Sequence, residues 1–308
     1  MLYAMIDVGS NTIRMAIYEI ESDRVEMLMK RKYTVGLAAY VRDGYMQQQG
    51  IDKVVEIIQD YRNFLDDLGI TRVTAFTTAA LRNAINGLDA VREISYRTRT
   101  NLTLMSGDDE ATYDFIGATH NLDEDKGLLI DIGGGSTEIV YFNHREIQVK
   151  VSLPIGSLSF HTRYTGKIHI LPSASECREM YAEAESTVSA VNEFRDISHA
   201  QICGIGGTFK GAMALYNSMY GLPRRNMRME VRRLRDILKR FQRDYELIVP
   251  DKVLLMRTVP ERMHTFMPGL IIADVLAKRF GSHDIIFSDS GVREGYIYSK
   301  ILTNDEDF

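Results

Sequence analysis

Residues 6 to 12 of the chain read IDVGSNT and residues 130 to 137 read IDIGGGST. Each phrase ends an apolar run on an aspartate, Asp7 or Asp131, and continues with glycine and small hydroxyl or amide side chains. Gly9, Gly133, Gly134 and Gly135 let backbone N–H groups come close to an anion, and Ser10, Asn11, Thr12, Ser136 and Thr137 add donors. Either aspartate stands where a magnesium ion bridging to phosphate could be held, directly or through water, and Glu138 follows the second phrase. Two familiar phosphate sites do not fit. A Walker loop needs Gly-Lys-Ser/Thr opening a helix, and a dinucleotide fingerprint needs G-x-G-x-x-G opening one. Here TIRMAIYEI and TEIVYF follow, both strand-like, so each phrase is a hairpin loop. A single glycine hairpin needs no ligand; two, matched at Asp, Gly and Ser/Thr, argue for one. A third cluster, CGIGGTFKG at 203 to 211, does open a helix. Gly206, Gly207 and Thr208 at a helix N-terminus favour an anion, with Lys210 nearby, although a close helix-to-strand packing turn has the same spelling.

The elements that must position these residues repeat. LYAMIDV, TIRMAIYEI and RVEMLMKRKY read as three successive antiparallel strands. Val54, Val55, Ile57, Ile58, Tyr61, Phe64 and Leu65 fall at helical spacing, and Gly69 closes that helix. RVTAFTT is a strand, ALRNAINGLDAVREISYRT is helical, LTLM is a short strand, and SGDDEATYDFIGATH is a helix with Ser106 as N-cap and Asp109 three residues on. After the acidic stretch HNLDEDKG the pattern restarts. GLLIDIG, TEIVYFN and EIQVKVSLPIG are three strands; a long helix, the strand AQICGIGG and the helix TFKGAMALYNSM follow. A basic helix, a helix near MPGLIIADVLAKRFG, the strand DIIFSDSG and a last helix VREGYIYSKIL complete the chain, and TNDEDF reads as a frayed acidic tail. The duplication predicts two α/β domains, 1–123 and 124–308, with the last helix free to pack back on the first.

At 308 residues, 45% hydrophobic and 26% charged, the chain has the balance of an ordinary globular protein with room for two domains. No apolar stretch is long enough to span a membrane and the N-terminus begins a strand rather than a signal peptide, so a cytoplasmic location without membrane association is expected. Cys177 and Cys203 are the only cysteines and read as free thiols. A net charge of −5 argues against a protein that coats a nucleic acid polymer. Charge is uneven, however: nine basic residues crowd Arg224 to Arg243 against Glu230 and Asp236. A solvated helix face, a polyanion-steering surface and a dimer surface all fit that stretch.

The two hairpin phrases followed by a GIGGT turn resemble the superfamily of sugar kinases, actin and chaperone ATPases. Within it the chain is similar to the exopolyphosphatase and guanosine pentaphosphate phosphohydrolase family, on IDVGSNTIRM at 6 to 15, TTAALRNAIN at 77 to 86, SGDDEA at 106 to 111, LLIDIGGGSTEIV at 128 to 140, LPIGSLSF at 153 to 160, GIGGTFK at 204 to 210, PER at 260 to 262 and FSDSGVREGYIY at 287 to 298. The resemblance covers almost the whole chain, with DIGGGSTE and DxGSNT its most specific parts. It implies two duplicated ribonuclease H-like (actin-like ATPase) domains around an interdomain cleft, in the short form that lacks C-terminal helical domains, often dimeric. Three departures stand out: Asp109 where the family commonly has a glutamate, Thr112 where it commonly has an arginine, and a segment VGLAAYVRDG poorer in glycine than usual.

Hydrolysis of a terminal phosphoanhydride needs an in-line water, a group to orient or deprotonate it, and positive charge on the phosphoryl oxygens. Glu110, in the first turn of a helix, corresponds to the family's catalytic glutamate. Asp7, Asp131 and Glu138 would hold Mg2+, and Ser10 to Thr12 with Gly133 to Thr137 would cradle phosphates. Arg82 resembles a phosphate-contacting arginine of the family, and Arg262 is a weaker candidate, as is Arg293. The function expected is an exopolyphosphatase that releases orthophosphate from inorganic polyphosphate. The alternatives are a 5′-phosphohydrolase of guanosine pentaphosphate and a non-catalytic module that binds guanosine penta- or tetraphosphate. A sugar kinase would need a large substrate-binding insertion and a second-domain aspartate base, and neither is evident.

Overall fold

A computed structural model describes residues 1–21, 24–120, 124–166, 168–244 and 246–303. The chain divides into two compact units, Met1–Glu110 with Tyr296–Phe308, and Ala111–Gly295. Residues 121–123, within the polar stretch read as the domain boundary, and the tail 304–308 lie outside the described residues.

In the first unit β1 (Leu2–Val8), β2 (Thr12–Glu21) and β3 (Arg24–Thr34) follow one another antiparallel, as their apolar runs and turn residues require. A 3-10 turn at Leu37–Tyr40 and a small ribbon of β4 (Val41–Arg42) and β5 (Tyr45–Met46) lead to α1 (Gln48–Asp67). Gly69, at φ +66°, ends that helix by donating to Asp66 O, the left-handed C-terminal geometry that glycine supplies without strain. β6 (Val73–Thr77) and β7 (Leu102–Leu104) run parallel to β1, giving the sheet order β3-β2-β1-β6-β7. The helix expected across residues 80–98 is two pieces, α2 (Ala79–Arg82) and α3 (Gly87–Thr98). Between them the chain turns so tightly that a Cβ on residue 87 would collide with Leu81 O, an approach that glycine alone permits. Tyr296 stacks its ring on Phe76 at 6.5 Å, which returns the chain's end to this unit.

Helix α4 (Gly107–Thr119) begins as the capping pattern demands, with Asp109 N–H donating to Ser106 Oγ at 3.0 Å. From Ala111 onward it belongs to the second unit, because Ala111, Phe115 and Ala118 pack with Leu129, Val140, Phe142 and Ile205. There β8 (Lys126–Ile132), β9 (Thr137–Asn143) and β10 (Glu146–Leu153) repeat the antiparallel trio. After α5 (Ser157–Phe160) and a π-turn at His161–Thr165, which the sequence did not signal, come α6 (Ala174–Ser189), β11 (Gln201–Ile205) and α7 (Gly206–Met219). The basic stretch is not one helix but β12 (Arg228–Glu230) followed by α8 (Val231–Arg240). The chain continues through α9 (Val249–Thr258), a 3-10 turn at Pro260–Arg262, α10 (Phe266–Phe280), β13 (Asp284–Phe287) and α11 (Val292–Tyr296), which runs into a π-helical turn at Ile297–Ile301. The order is β10-β9-β8-β11-β13-β12. Its first five strands reproduce the order and directions of the first sheet, with β12 added antiparallel. Helix α10 buries all of its residues except Lys278 and Arg279, as a helix apolar on every face must, and forms the centre of this core.

Candidate active site

In the first unit the site residues follow the C-terminal ends of three neighbouring strands. The turn after β1 closes with Gly9 N–H donating to Thr12 O at 3.1 Å, and Val35 and Gly36 donate to Asn11 O at 2.9 and 3.0 Å, so the loop's backbone is pinned. Asn11 is only 6% exposed, yet neither its amide N nor its O is hydrogen-bonded. A buried amide in that state is costly, and a ligand oxygen is the sort of partner that would relieve it. Arg82 ends α2, just past β6, and Glu110 lies in the first turn of α4, just past β7. Arg82 Nη1 donates to Glu110 Oε2 at 2.6 Å and to Met105 O at 3.3 Å. The carboxylate is 8% exposed, so a largely buried acid is held in one orientation by a charge-assisted bond. The sequence singled out both residues, but not that they touch.

The second unit builds the same turn again. Gly133 N–H donates to Ser136 O at 2.9 Å, the counterpart of the Gly9 to Thr12 bond. Ser157 N–H and Oγ both donate to Gly133 O, and Leu158 and Ser159 N–H donate to Gly134 O, so α5 buttresses the loop from behind. Strand ends are fixed alike in the two units: Thr77 Oγ1 donates to Val8 O at 3.0 Å, and Thr208 Oγ1 to Ile132 O at 2.7 Å. Thr208 and Thr137, both read from sequence as phosphate ligands, thus spend their hydroxyl protons on backbone carbonyls, Thr137 on Ile155 O at 2.7 Å. Gly206 takes φ +78° and approaches Asp131 so closely that a Cβ would overlap its Oδ1. Gly207 likewise leaves room for the guanidinium of Arg262, whose Cδ lies 3.6 Å from where a Cβ on Gly211 would sit. One glycine face of α7 therefore seats Arg262 at the N-terminal end of the helix.

The rows of side chains beneath the two loops differ in charge. In the first sheet Phe76, Asp7, Arg14 and Lys32 stand in register across β6, β1, β2 and β3, and Arg14 lies 3.5 Å from Asp7. In the second, the corresponding row is Ile205, Asp131, Glu138 and Ser152. Asp131 and Glu138 face each other directly across β8 and β9, two carboxylates on one face of the sheet. Glu138 is 1% exposed and accepts from Ser152 Oγ at 2.7 Å. Two carboxylates suit Mg2+, which takes one or two and completes its octahedron with water and phosphate oxygens. Among the described residues no three His, Cys, Asp or Glu side chains gather as a ready-made metal cage. Asp7, placed with the metal ligands by the sequence, has the Arg14 guanidinium 3.5 Å away.

Close to Arg262, the imidazoles of His161 and His264 meet edge to face at 5.2 Å. Burial and the neighbouring His264 push His161 down to about 4, and burial with the Arg262 charge lowers His264. The basic stretch is largely committed elsewhere. Arg228 pairs with Asp284, Arg232 with Glu230, Arg235 with Asp274, Arg240 with Asp251 and Arg243 with Glu176. Two surface cavities of about 600 and 450 Å³ adjoin Arg235, and their linings do not include residues of the two glycine turns. Both cysteines are free, as expected, and burial raises their thiols to about 11 (Cys177) and about 12 (Cys203). Among the described residues no helix is long and apolar enough to cross a membrane.

Comparison with known proteins agrees with this geometry. Residues 16–304 match the model of the Ppx/GppA phosphatase family. A guanosine-5′-triphosphate,3′-diphosphate pyrophosphatase of Aeromonas hydrophila is 25% identical over 99% of the chain and 60% of its own length. A putative exopolyphosphatase of Haemophilus influenzae is 26% identical over 96% of the chain and 90% of its own. A bifunctional 3-dehydroquinate synthase/phosphatase of Fusobacterium nucleatum is 26% identical over 97% of the chain and 46% of its own. The chain thus spans about half the length of the Fusobacterium and Aeromonas relatives. Crystal structures share the fold: an exopolyphosphatase from Cytophaga hutchinsonii (TM-score 0.82, 23% identity, 99% of this chain and 98% of that one) and the Aquifex aeolicus Ppx/GppA family member (0.76, 22%, 100% and 99%). The duplicated sheet order is that of the ribonuclease H-like, actin-like ATPase fold. Two matched glycine turns, an arginine-held glutamate and a family match over nearly every residue lead to one conclusion: the chain belongs to the Ppx/GppA phosphatase family.

Proposed function

We propose that the chain hydrolyses the terminal phosphoanhydride of inorganic polyphosphate and releases orthophosphate. The observation that carries this reading is the buried Glu110 carboxylate fixed by Arg82, at the end of the sheet that also presents the Asn11 turn. Glu110 orients a water and accepts its proton as the water oxygen bonds to the terminal phosphorus. The bridging P–O bond breaks, and its oxygen leaves on the shortened chain. Positioning matters more than basicity in such a transfer, because the transition state is loose and its charge sits on the phosphoryl oxygens. The Asn11 amide and the N–H groups of its turn hold those oxygens in the first unit; in the second, the matching turn and Arg262 at the α7 N-terminus offer donors and charge of the same kind. Asp131 and Glu138 would hold Mg2+, which would supply positive charge to the phosphate oxygens.

A second substrate, the 5′ γ-phosphate of guanosine pentaphosphate, is favoured by the name of the Aeromonas relative, which this chain matches over 99% of its residues. The Haemophilus relative, matched over 90% of its own length, favours polyphosphate. A homodimer in the cytoplasm, expected from the sequence, belongs to the same proposal. Phosphate release from polyphosphate, guanosine pentaphosphate and ATP, each with Mg2+, separates the possibilities: tight alarmone binding without turnover of any of them would replace the hydrolase with a binding module.

A further inference from the structure

Glu138 does not hold its position by packing alone. Its cross-strand neighbour on β10 is Ser152, and Ser152 Oγ donates to Glu138 Oε1 at 2.7 Å. One residue pair inward on the same strand, Lys150 Nζ donates to Thr112 Oγ1 at 3.0 Å, tying β10 to α4. Residues 150 and 152 alternate in phase on a strand, so both side chains stand on the sheet face that carries Asp131 and Glu138. The first unit offers an internal comparison, because it repeats the row with Lys32 where the second has Ser152, and Arg14 where the second has Glu138. A hydroxyl donor therefore occurs in the copy whose row is acidic, and a cation in the copy whose row already contains one. A carboxylate this deeply buried, directly across from another, can serve a cation only in a fixed orientation, and a hydrogen-bond donor to its oxygen is the usual means of fixing it.

We propose that Ser152 is the positioning residue of the cation site: its hydroxyl sets the orientation of Glu138 and thereby the affinity for Mg2+. The inference rests on the assignment of Asp131 and Glu138 to Mg2+ made above. Removal of such an outer partner commonly weakens metal binding about 10- to 100-fold.

The test is calorimetric titration of the full chain with MgCl2, supported by Mn2+ electron paramagnetic resonance, for the wild type, Ser152→Ala, Ser152→Thr and Glu138→Gln. The expected result is about a tenfold or greater rise in the Mg2+ Kd for Ser152→Ala, recovery in Ser152→Thr, which keeps the hydroxyl, and loss of binding in Glu138→Gln. Metal-free melting temperatures check that Ser152→Ala still folds, and Ser152→Thr keeps the question answerable if it does not. If Ser152→Ala binds Mg2+ as the wild type does while Glu138→Gln does not, the positioning role is overturned and the cation site stands. If the wild type takes up no Mg2+, or Glu138→Gln takes it up normally, the cation site fails and the role of Ser152 fails with it.

Discussion

Asp131 and Glu138 face each other across β8 and β9, at the positions that Asp7 and Arg14 occupy across β1 and β2. The duplication has kept the strand order and the glycine turn and has inverted the charge beside the aspartate. Two facing carboxylates form a donor set that suits a divalent cation, whereas Asp7 stands 3.5 Å from Arg14. Asp131→Asn and Glu138→Gln should each raise the Mg2+ concentration needed for half-maximal activity by about tenfold or more, in the range seen when metal-site partners are lost. Asp7→Asn should shift it far less. Mg2+ titrations of the initial rate check this; an Asp7 variant as impaired in Mg2+ dependence as the other two would return that residue to the metal ligands.

Gly207 and Arg262 are coupled sterically, since a Cβ at residue 207 would occupy the place of the guanidinium. Gly207 has no positive φ, so alanine there suits the helix backbone and leaves α7 intact. Gly207→Ala should therefore resemble Arg262→Ala, each raising the KM for polyphosphate by about tenfold, the equivalent of roughly 1.4 kcal/mol of lost charge-assisted binding. The double variant should be little worse than either single one. Steady-state kinetics of the three variants check the coupling, and additive losses would show that the two residues act apart.

The His161–His264 pair predicts a pH dependence of stability with a definite sign. Both imidazoles titrate below their ordinary value in the folded chain, His161 at about 4, so the unfolded chain binds more protons on the acid side. The stability they contribute is fully present above the ordinary histidine value near 6.5 and is lost as the pH falls from there toward about 4. His161→Phe should flatten the fall in melting temperature over that window without moving the pH profile of turnover above pH 7. Melting curves between pH 4 and 8 check it, and an unchanged slope would place the acid sensitivity elsewhere.

The basic stretch predicts stability effects rather than substrate effects. Arg235 Nε donates at 2.6 Å to Asp274, which also accepts from Tyr181 and is largely buried on α10. Arg235→Ala should lower stability by about 1–3 kcal/mol, the cost of leaving a largely buried carboxylate without its charged partner and with Tyr181 alone to donate to it. The KM for polyphosphate should stay within about twofold, because the arginine already serves a carboxylate rather than a free anion. Urea unfolding and kinetics on the same preparation check both halves; a raised KM at unaltered stability would restore a steering role.

Much of this arrangement was legible in the sequence. Both hairpin turns, the Ser106 cap, the strand trios and the helix opened by GIGGT could be read because turn chemistry and apolar period are local properties. The basic helix resolved into β12 and α8 because Met229, between two charged residues, pairs with Ile285 of β13, a partner 56 residues away. The break at residues 83–86 depends on how closely residue 87 approaches Leu81, and the pairings of Arg82 with Glu110 and Ser152 with Glu138 on register between separate elements. None of these distances has a local signature. The roles of Thr137 and Thr208 were blurred for the same reason, since a hydroxyl in a glycine loop reads alike whether it faces an anion or a carbonyl.

Glu110, held by Arg82, is the residue on which hydrolysis depends in this account. The most direct measurement is orthophosphate release from long-chain polyphosphate with Mg2+, comparing wild type with Glu110→Gln, which keeps the shape and removes the charge. The account predicts release by the wild type and a fall in kcat of about 10²- to 10⁴-fold in the variant, the usual contribution of a positioned acid or base, with polyphosphate still bound. A Glu110→Gln chain that releases orthophosphate at the wild-type rate, or a wild type that releases none from polyphosphate or guanosine pentaphosphate, would contradict it.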